Sequence, residues 1–203
     1  MDFAALIGRV QRLLLSPVTE WDAISSEPAD VQKIYMNYVG PLVIAAALAT
    51  ALGLLLFGAN AGFMTIRMPF GTILTFLILN IVLTLVSVYI SAYVINALAP
   101  QFGGTQDMGQ AFKVAAYSPT ATWVAGLVTI LPQLAIVVWL GVLYSLYLLY
   151  LGLPKLMKPA ADKTVPYTIA VVVVMIVIYI VVGGIVGAIA FGSGMPMAMS
   201  LPQ

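Results

Sequence analysis

Residues 111–158 read AFKVAAYSPTATWVAGLVTILPQLAIVVWLGVLYSLYLLYLGLPKLMK, and the alternation of apolar runs and lysines in them decides the fold. Residues 111–131 and 133–153 are each about the 20 residues that a helix needs to cross roughly 30 Å of hydrocarbon. Leu131-Pro132-Gln133 leaves almost no room for a loop, so the chain is expected to turn straight back as a transmembrane hairpin. Lys113 stands at one mouth of that hairpin, Lys155 and Lys158 stand at the same mouth, and the Pro132 end carries no charge. Because Lys and Arg collect on the cytoplasmic side, the open mouth is expected to face the cytoplasm.

The whole composition agrees. With 63% hydrophobic and 7% charged residues over 203 positions, the chain cannot bury its apolar side chains in a soluble globule of this size. A net charge of +1 gives no basic patch for nucleic acid. The absence of Cys and His removes disulfides, thiolate chemistry, the commonest metal ligand and the usual proton shuttle. No cleavable signal peptide is expected, since Arg9, Gln11 and Arg12 interrupt the N-terminal apolar residues.

Around the hairpin, further spans are expected over about 39–59, 70–99 and 166–191, which makes five, and the fold class is an all-α membrane protein, a five-helix transmembrane bundle. Gly40 and Pro41 stand at the entrance of the first span, where Pro suits a helix start or a local break. A short loop holding Arg67 leads to the second. The last is rich in Val and Ile, but 26 near-continuous apolar residues argue for a helix. Residues 192–203 read as a loose tail. Five spans put the termini on opposite sides. With the N-terminus cytoplasmic and the C-terminus outside, Arg9, Arg12, Lys33, Lys113, Lys155, Lys158 and Lys163 lie inside, against Arg67 outside.

Residues 1–38 read as a cap. Phe3, Leu6, Ile7, Val10, Leu13 and Leu14 recur at helical spacing and leave Arg9 and Arg12 elsewhere on the wheel, the pattern of an amphipathic helix ending near Pro17. It is too short and polar to span, so it either lies in the interface or docks across the cytoplasmic end of the bundle. Thr19 and Asp22 resemble a capping box that starts a second short helix, with Trp21 at headgroup depth, and Asp30 is placed to cap a third. Glu20, Asp22, Glu27 and Asp30 are either a solvated face or a metal or partner site. Arg9, Arg12, Trp21, Asp22 and Glu27 are the candidate lipid or partner contacts.

Inside the bundle three features stand out. Asn80, Thr84, Ser87 and Ser91 form a polar stripe down one helical face, either a solute path or interhelical hydrogen bonding. Pro119, following Tyr117 and Ser118, frees a carbonyl and is expected to kink its helix. Gly183 and Gly187 form a small-xxx-small surface for another helix, in the same chain or a second copy.

Taken together, LLLSPVTEWDAISSEP (13–28), YVGPLVIAAAL (38–48), AAYSPTATWVAGLVTILP (115–132) and LYLLYLGLPKLMK (146–158) resemble the Yip1 domain family. That resemblance implies a five-span protein without known catalysis or cofactor. The short hydrophilic N-terminus resembles the bacterial branch, which implies the cytoplasmic (inner) membrane. The Rab-linked trafficking of eukaryotic relatives does not carry over, because it depends on prenylated partners. Gly40, Pro41, Tyr117, Ser118 and Pro119 are the positions that match family signatures, and structural pivots are what they imply.

The expected function is therefore a non-enzymatic membrane scaffold, adaptor or organising factor. Its partners are expected to be membrane lipid, a protein at the cytoplasmic face and a second copy of the chain. The alternative is a small transporter or channel for a neutral or lipid-like solute, since charges inside spans, each costing about 3 kcal/mol at a helix centre, are what mark ion paths. An intramembrane hydrolase needs a nucleophile with a base or metal, and Ser118 has no evident activating partner.

Overall fold

The computed structural model describes residues 2–61 and 64–192 and is helical nearly throughout. Two short helices open it, α1 (Phe3–Leu15) and α2 (Pro17–Ser26), and Asp2 caps the first by accepting from the Ala4 and Ala5 N–H groups. The second starts two residues before the expected Thr19. Pro17, whose missing N–H is one of the orphans of a first turn, sets that start, and Thr19 Oγ1 donates back to the Ser16 carbonyl. Asp30 does cap the third helix, α3 (Val31–Ile34), through the Lys33 N–H.

The first span does not begin at Val39. Helix α3, a π turn over Tyr35–Val39 and α4 (Gly40–Phe57) make one helix of 27 residues from Val31 to Phe57. Pro41 lies within it rather than at its mouth. A proline there lacks the N–H of an α bond and its ring collides with a carbonyl one turn back. The widened turn just before it, closed by Gly40 N–H to Tyr35 O, lets the helix run on through the proline. The Arg67 loop contains a two-stranded ribbon, β1 (Ala59–Ala61) against β2 (Met64–Ile66), which the apolar pattern did not announce.

Helix α5 (Phe70–Leu98) matches its expected span. The next segment does not form a single helix: α6 (Met108–Tyr117) stops at Ser118-Pro119, α7 (Thr120–Gly126) resumes, and a 3-10 turn follows over Leu127–Ile130. The expected kink at Pro119 is thus a full break. The segment nonetheless keeps its heading along α4: Tyr38 bonds Thr120, Ala46 faces Gly126, Thr50 bonds Thr129, and Gly53 faces Thr129 and Ile130. A Cβ on Gly53 would stand 2.4 Å from the Thr129 carbonyl oxygen, so glycine is what lets two backbones touch where the 3-10 turn passes.

The chain turns back through a 3-10 turn at Pro132–Leu134 into α8 (Ile136–Met157), three residues later than the apolar count suggested and running through Pro154 rather than stopping there. Antiparallel to α7, it brings Gly141 against Ala121 and Ala125 and Ser145 against Thr122. Helix α9 (Thr164–Gly192) closes the described structure and packs on α5 through Tyr167, which stacks on Phe102 and donates to the Ile95 carbonyl. The tail expected beyond Gly192 lies outside the described residues. Four helices among the described residues are long and apolar enough to cross a membrane: Val31–Phe57, Phe70–Phe102, Ile136–Met157 and Ala161–Ile189.

Candidate functional site

Helices α1 and α2 fold back on each other at Ser16-Pro17, and the spacing of their charges follows from that geometry. Arg9 and Arg12, three apart, share one face of α1; Glu20 stands on α2 and Glu27 in the extended residue that follows it. The two sets meet. Arg9 Nη1 donates to Glu20 Oε1 at 2.8 Å and Nη2 to Glu27 Oε1 at 2.6 Å, while Arg12 Nε donates to Glu20 Oε2 at 2.7 Å. Glu20 is buried, only 4% exposed, so its carboxylate is held by two guanidinium groups in place of water. Burial works against the Arg9 charge, but the Glu27 hydrogen bond and the fields of Tyr117, Glu27 and Glu20 outweigh it and hold the guanidinium pKa above its ordinary value.

This cap is bolted to the bundle by lysines from two helices. Lys113 of α6 is 1% exposed, and its ammonium donates to the carbonyls of Ile24 at 2.6 Å and Glu27 at 2.7 Å, at the C-terminal end of α2 where a cation is favoured. Lys155 of α8 donates to the Val18 carbonyl at 2.9 Å and pairs with Asp22. Between them Trp21 is fully buried, set against Gly152 of α8 and edge-on to Tyr117 with ring centroids 6.4 Å apart. Tyr144 donates to the Leu14 carbonyl at 2.7 Å, tying the end of α1 to α8.

Several sequence expectations are corrected here. Trp21 is not at headgroup depth but in the core, because glycine at 152 opens a slot for the indole. Of the four carboxylates Asp22 is exposed, Glu27 and Asp30 are partly exposed, and Glu20 is buried; each pairs with Arg9, Arg12, Lys33 or Lys155, and no group of three or more Asp or Glu able to hold a metal occurs among the described residues. Lys113, at the start of the expected 111–131 span, does not face water but is buried against the end of α2. The amphipathic α1 has two apolar faces: Leu6 and Leu13 dock, while Phe3, Ile7 and Leu15 stay exposed.

Of the expected pivots, Tyr117 and Ser118 are buried at the break; Ser118 Oγ has no hydrogen bond among the described residues, and the Tyr38 and Tyr117 rings meet at 4.7 Å. Gly40 ends the π turn. In the polar stripe Ser87 and Ser91 are buried and Ser87 Oγ returns to the Leu83 carbonyl, while Asn80 and Thr84 are half-buried; Tyr35 donates to the Leu85 carbonyl beside them at 2.8 Å. The stripe faces Pro119 and Trp123 across a void of about 10 Å³, room for one water. Gly183 and Gly187 have open space around their Cα atoms, and no helix among the described residues packs there.

Sequence reading missed the wall on the other side of the cap. A cavity of about 620 Å³ opens between the N-terminal half of α1, the Glu27-Pro28 turn, the Val31–Phe57 helix and α6. Arg9, Lys113, Tyr117, Asn37, Tyr38 and Lys33 line it. The signal for it was Lys113: a cation two residues inside an apolar run has to find partners.

Helices of this length and apolarity, with the ionisable side chains gathered at their ends, define an integral membrane protein of the polytopic α-helical class. The model of the Yip1 domain matches residues 12–183, and the chain belongs to that family, which is not a known enzyme family. No curated protein and no solved structure matches it.

Proposed function

We propose that the chain is a non-enzymatic membrane scaffold or adaptor of the Yip1 type, with residues 1–38 as a cytoplasmic platform and residues 39–191 as a five-span membrane domain. The observation that carries the reading is the cap itself. A two-helix platform held by Glu20, Lys113 and Lys155 presents a fixed surface on one end of an otherwise apolar bundle, while the void along Thr84, Ser87 and Ser91 of the stripe, about 10 Å³, is the size of one water. That void favours interhelical packing over a transport path. A photo-crosslinker placed at Ala23, on the exposed side of α2, is expected to capture one recurrent protein or lipid species in native membranes, and one at Arg67 is not. No adduct at Ala23, with unaltered lipid organisation in a deletion strain, counts against the platform.

The orientation we propose has the N-terminus in the cytoplasm of a bacterial inner membrane and the C-terminus outside. It is supported by the convergence of Lys113 and Lys155 on the cap that carries Arg9 and Arg12, and by the passage of 108–130 alongside α4 despite its break. The chain has no cysteine, so single thiols label cleanly. Lys158→Cys should react only after the cytoplasmic face is opened, and Arg67→Cys in intact cells. The reverse pattern, or both from one side, overturns the five-span arrangement.

A further inference from the structure

The cavity behind the cap has an uneven hydrogen-bonding inventory. Three carboxylates line it and all are engaged: Asp2 accepts from Ala4 and Ala5 N–H, Glu27 from Arg9, and Asp30 from the Lys33 N–H and ammonium. The donors are in surplus. Lys113 spends two of its three N–H bonds on neutral carbonyls, Arg9 spends two of five, and neither the Tyr117 hydroxyl nor the Asn37 amide has a hydrogen bond among the described residues. Lys113 is also a cation for which no carboxylate lies within pairing distance among the described residues, although it is almost wholly buried. A buried ammonium held by carbonyls alone stabilises an incoming anion.

We propose that this cavity binds a phosphate-bearing anionic group, gripped by Arg9 and Lys113 at its inner wall with Lys33 at its rim. An oxyanion with several acceptor oxygens matches spare donors on Arg9, Lys113, Asn37 and Tyr117 at once, whereas a cation finds only carboxylates already taken. The volume exceeds that of a bare phosphate and suits a phosphoglycerol headgroup with the start of its chains. Leu6 and Ile34 give the cavity an apolar side, and Met36, beside it on the same helix, is exposed. The site stands on the membrane placement of the chain and not on its being a scaffold.

The test uses the full chain in phosphatidylcholine nanodiscs with and without a minor fraction of phosphatidylglycerol, read by native mass spectrometry of retained lipid and by unfolding temperature. Wild type is expected to retain phosphatidylglycerol over phosphatidylcholine and to unfold at higher temperature when it is present. Lys113→Gln should weaken that preference by about tenfold, the loss of one charge-assisted contact. Lys33→Glu should weaken it several-fold; its side chain is 78% exposed, so this variant folds even if Lys113→Gln does not. Stabilisation by inorganic phosphate or glycerol 3-phosphate in pure phosphatidylcholine discs, with displacement of retained phosphatidylglycerol, assigns the site to a soluble phosphoester; retention unmoved by either assigns it to lipid. Equal retention of the two lipids with no response to soluble phosphate, or a preference that Lys33→Glu and Asn37→Leu leave intact, overturns the proposal.

Discussion

Trp21→Ala is expected to cost about 3–5 kcal/mol of the stability with which the cap holds to the bundle, the range for removing a fully buried large aromatic. The indole fills a slot whose floor is glycine: a Cβ at Gly152 would come within 2.6–2.7 Å of three of its ring atoms. It also meets the Tyr117 ring edge-on and joins Leu13 and Ile24 in the core. Truncation leaves a void that neighbouring rigid helices cannot close. The effect should be local, appearing as protease sensitivity of residues 1–30 before the spans respond, because α1 and α2 can open without unfolding the long helices.

The same geometry fixes the sign of a second substitution. Gly152→Ala in wild type drives a methyl into the indole and should cost roughly 1–3 kcal/mol as overpacking. In the Trp21→Ala background that methyl enters empty space, and the helix gains the ~0.5–1 kcal/mol by which Ala exceeds Gly in a helix interior. Gly152→Ala should therefore turn from destabilising to stabilising, a coupling of 1 kcal/mol or more by the double-mutant cycle. If it costs the same in both backgrounds, as read by thermal unfolding in detergent, the indole does not sit on Gly152.

How far the sequence shows this can be argued from single residues. Long apolar runs placed α5 and α9 almost to the residue, since a membrane sets helix length and leaves little for tertiary contacts to adjust. Proline was harder. Pro41, Pro119 and Pro154 carry the same local penalty, yet one is absorbed by a π turn, one breaks its helix and one is carried through the penultimate turn. What decides among them is whether neighbours satisfy the freed carbonyl, and no local window contains those neighbours. The cap shows the same limit. Spacing set Arg9 and Arg12 off the apolar face of α1 and showed the carboxylates only as a cluster; that Glu20 and Glu27 meet those arginines depends on the tight turn at Ser16-Pro17, and that Trp21 is core depends on a glycine 131 positions away.

Glu20→Ala is expected to destabilise the cap by about 3 kcal/mol, at the lower end of the ~3–5 kcal/mol seen when one member of a buried ion pair is removed. The two guanidinium groups it leaves behind are not in equal trouble. Arg12 has 55% of its side chain exposed and turns to water at little cost; Arg9 has 19% and keeps only Glu27. The loss thus falls on Arg9, and through Glu27 on the backbone carbonyl that Lys113 holds. Arg12→Gln, which removes the exposed side of the same network, should cost less than Glu20→Ala, because Glu20 keeps Arg9 as its partner. Glu20→Gln should fall between, because its amide oxygen still accepts from one arginine while its NH2 faces the other as donor against donor. Pairing Glu20→Gln with Arg9→Met removes both charges together and should recover most of the deficit, since an ion pair replaced as a unit by groups of similar shape is often neutral. Unfolding monitored by protease protection of the cap separates these outcomes. A Glu20→Ala cost no larger than that of Arg12→Gln means that the carboxylate sits in water rather than at the centre of the clamp.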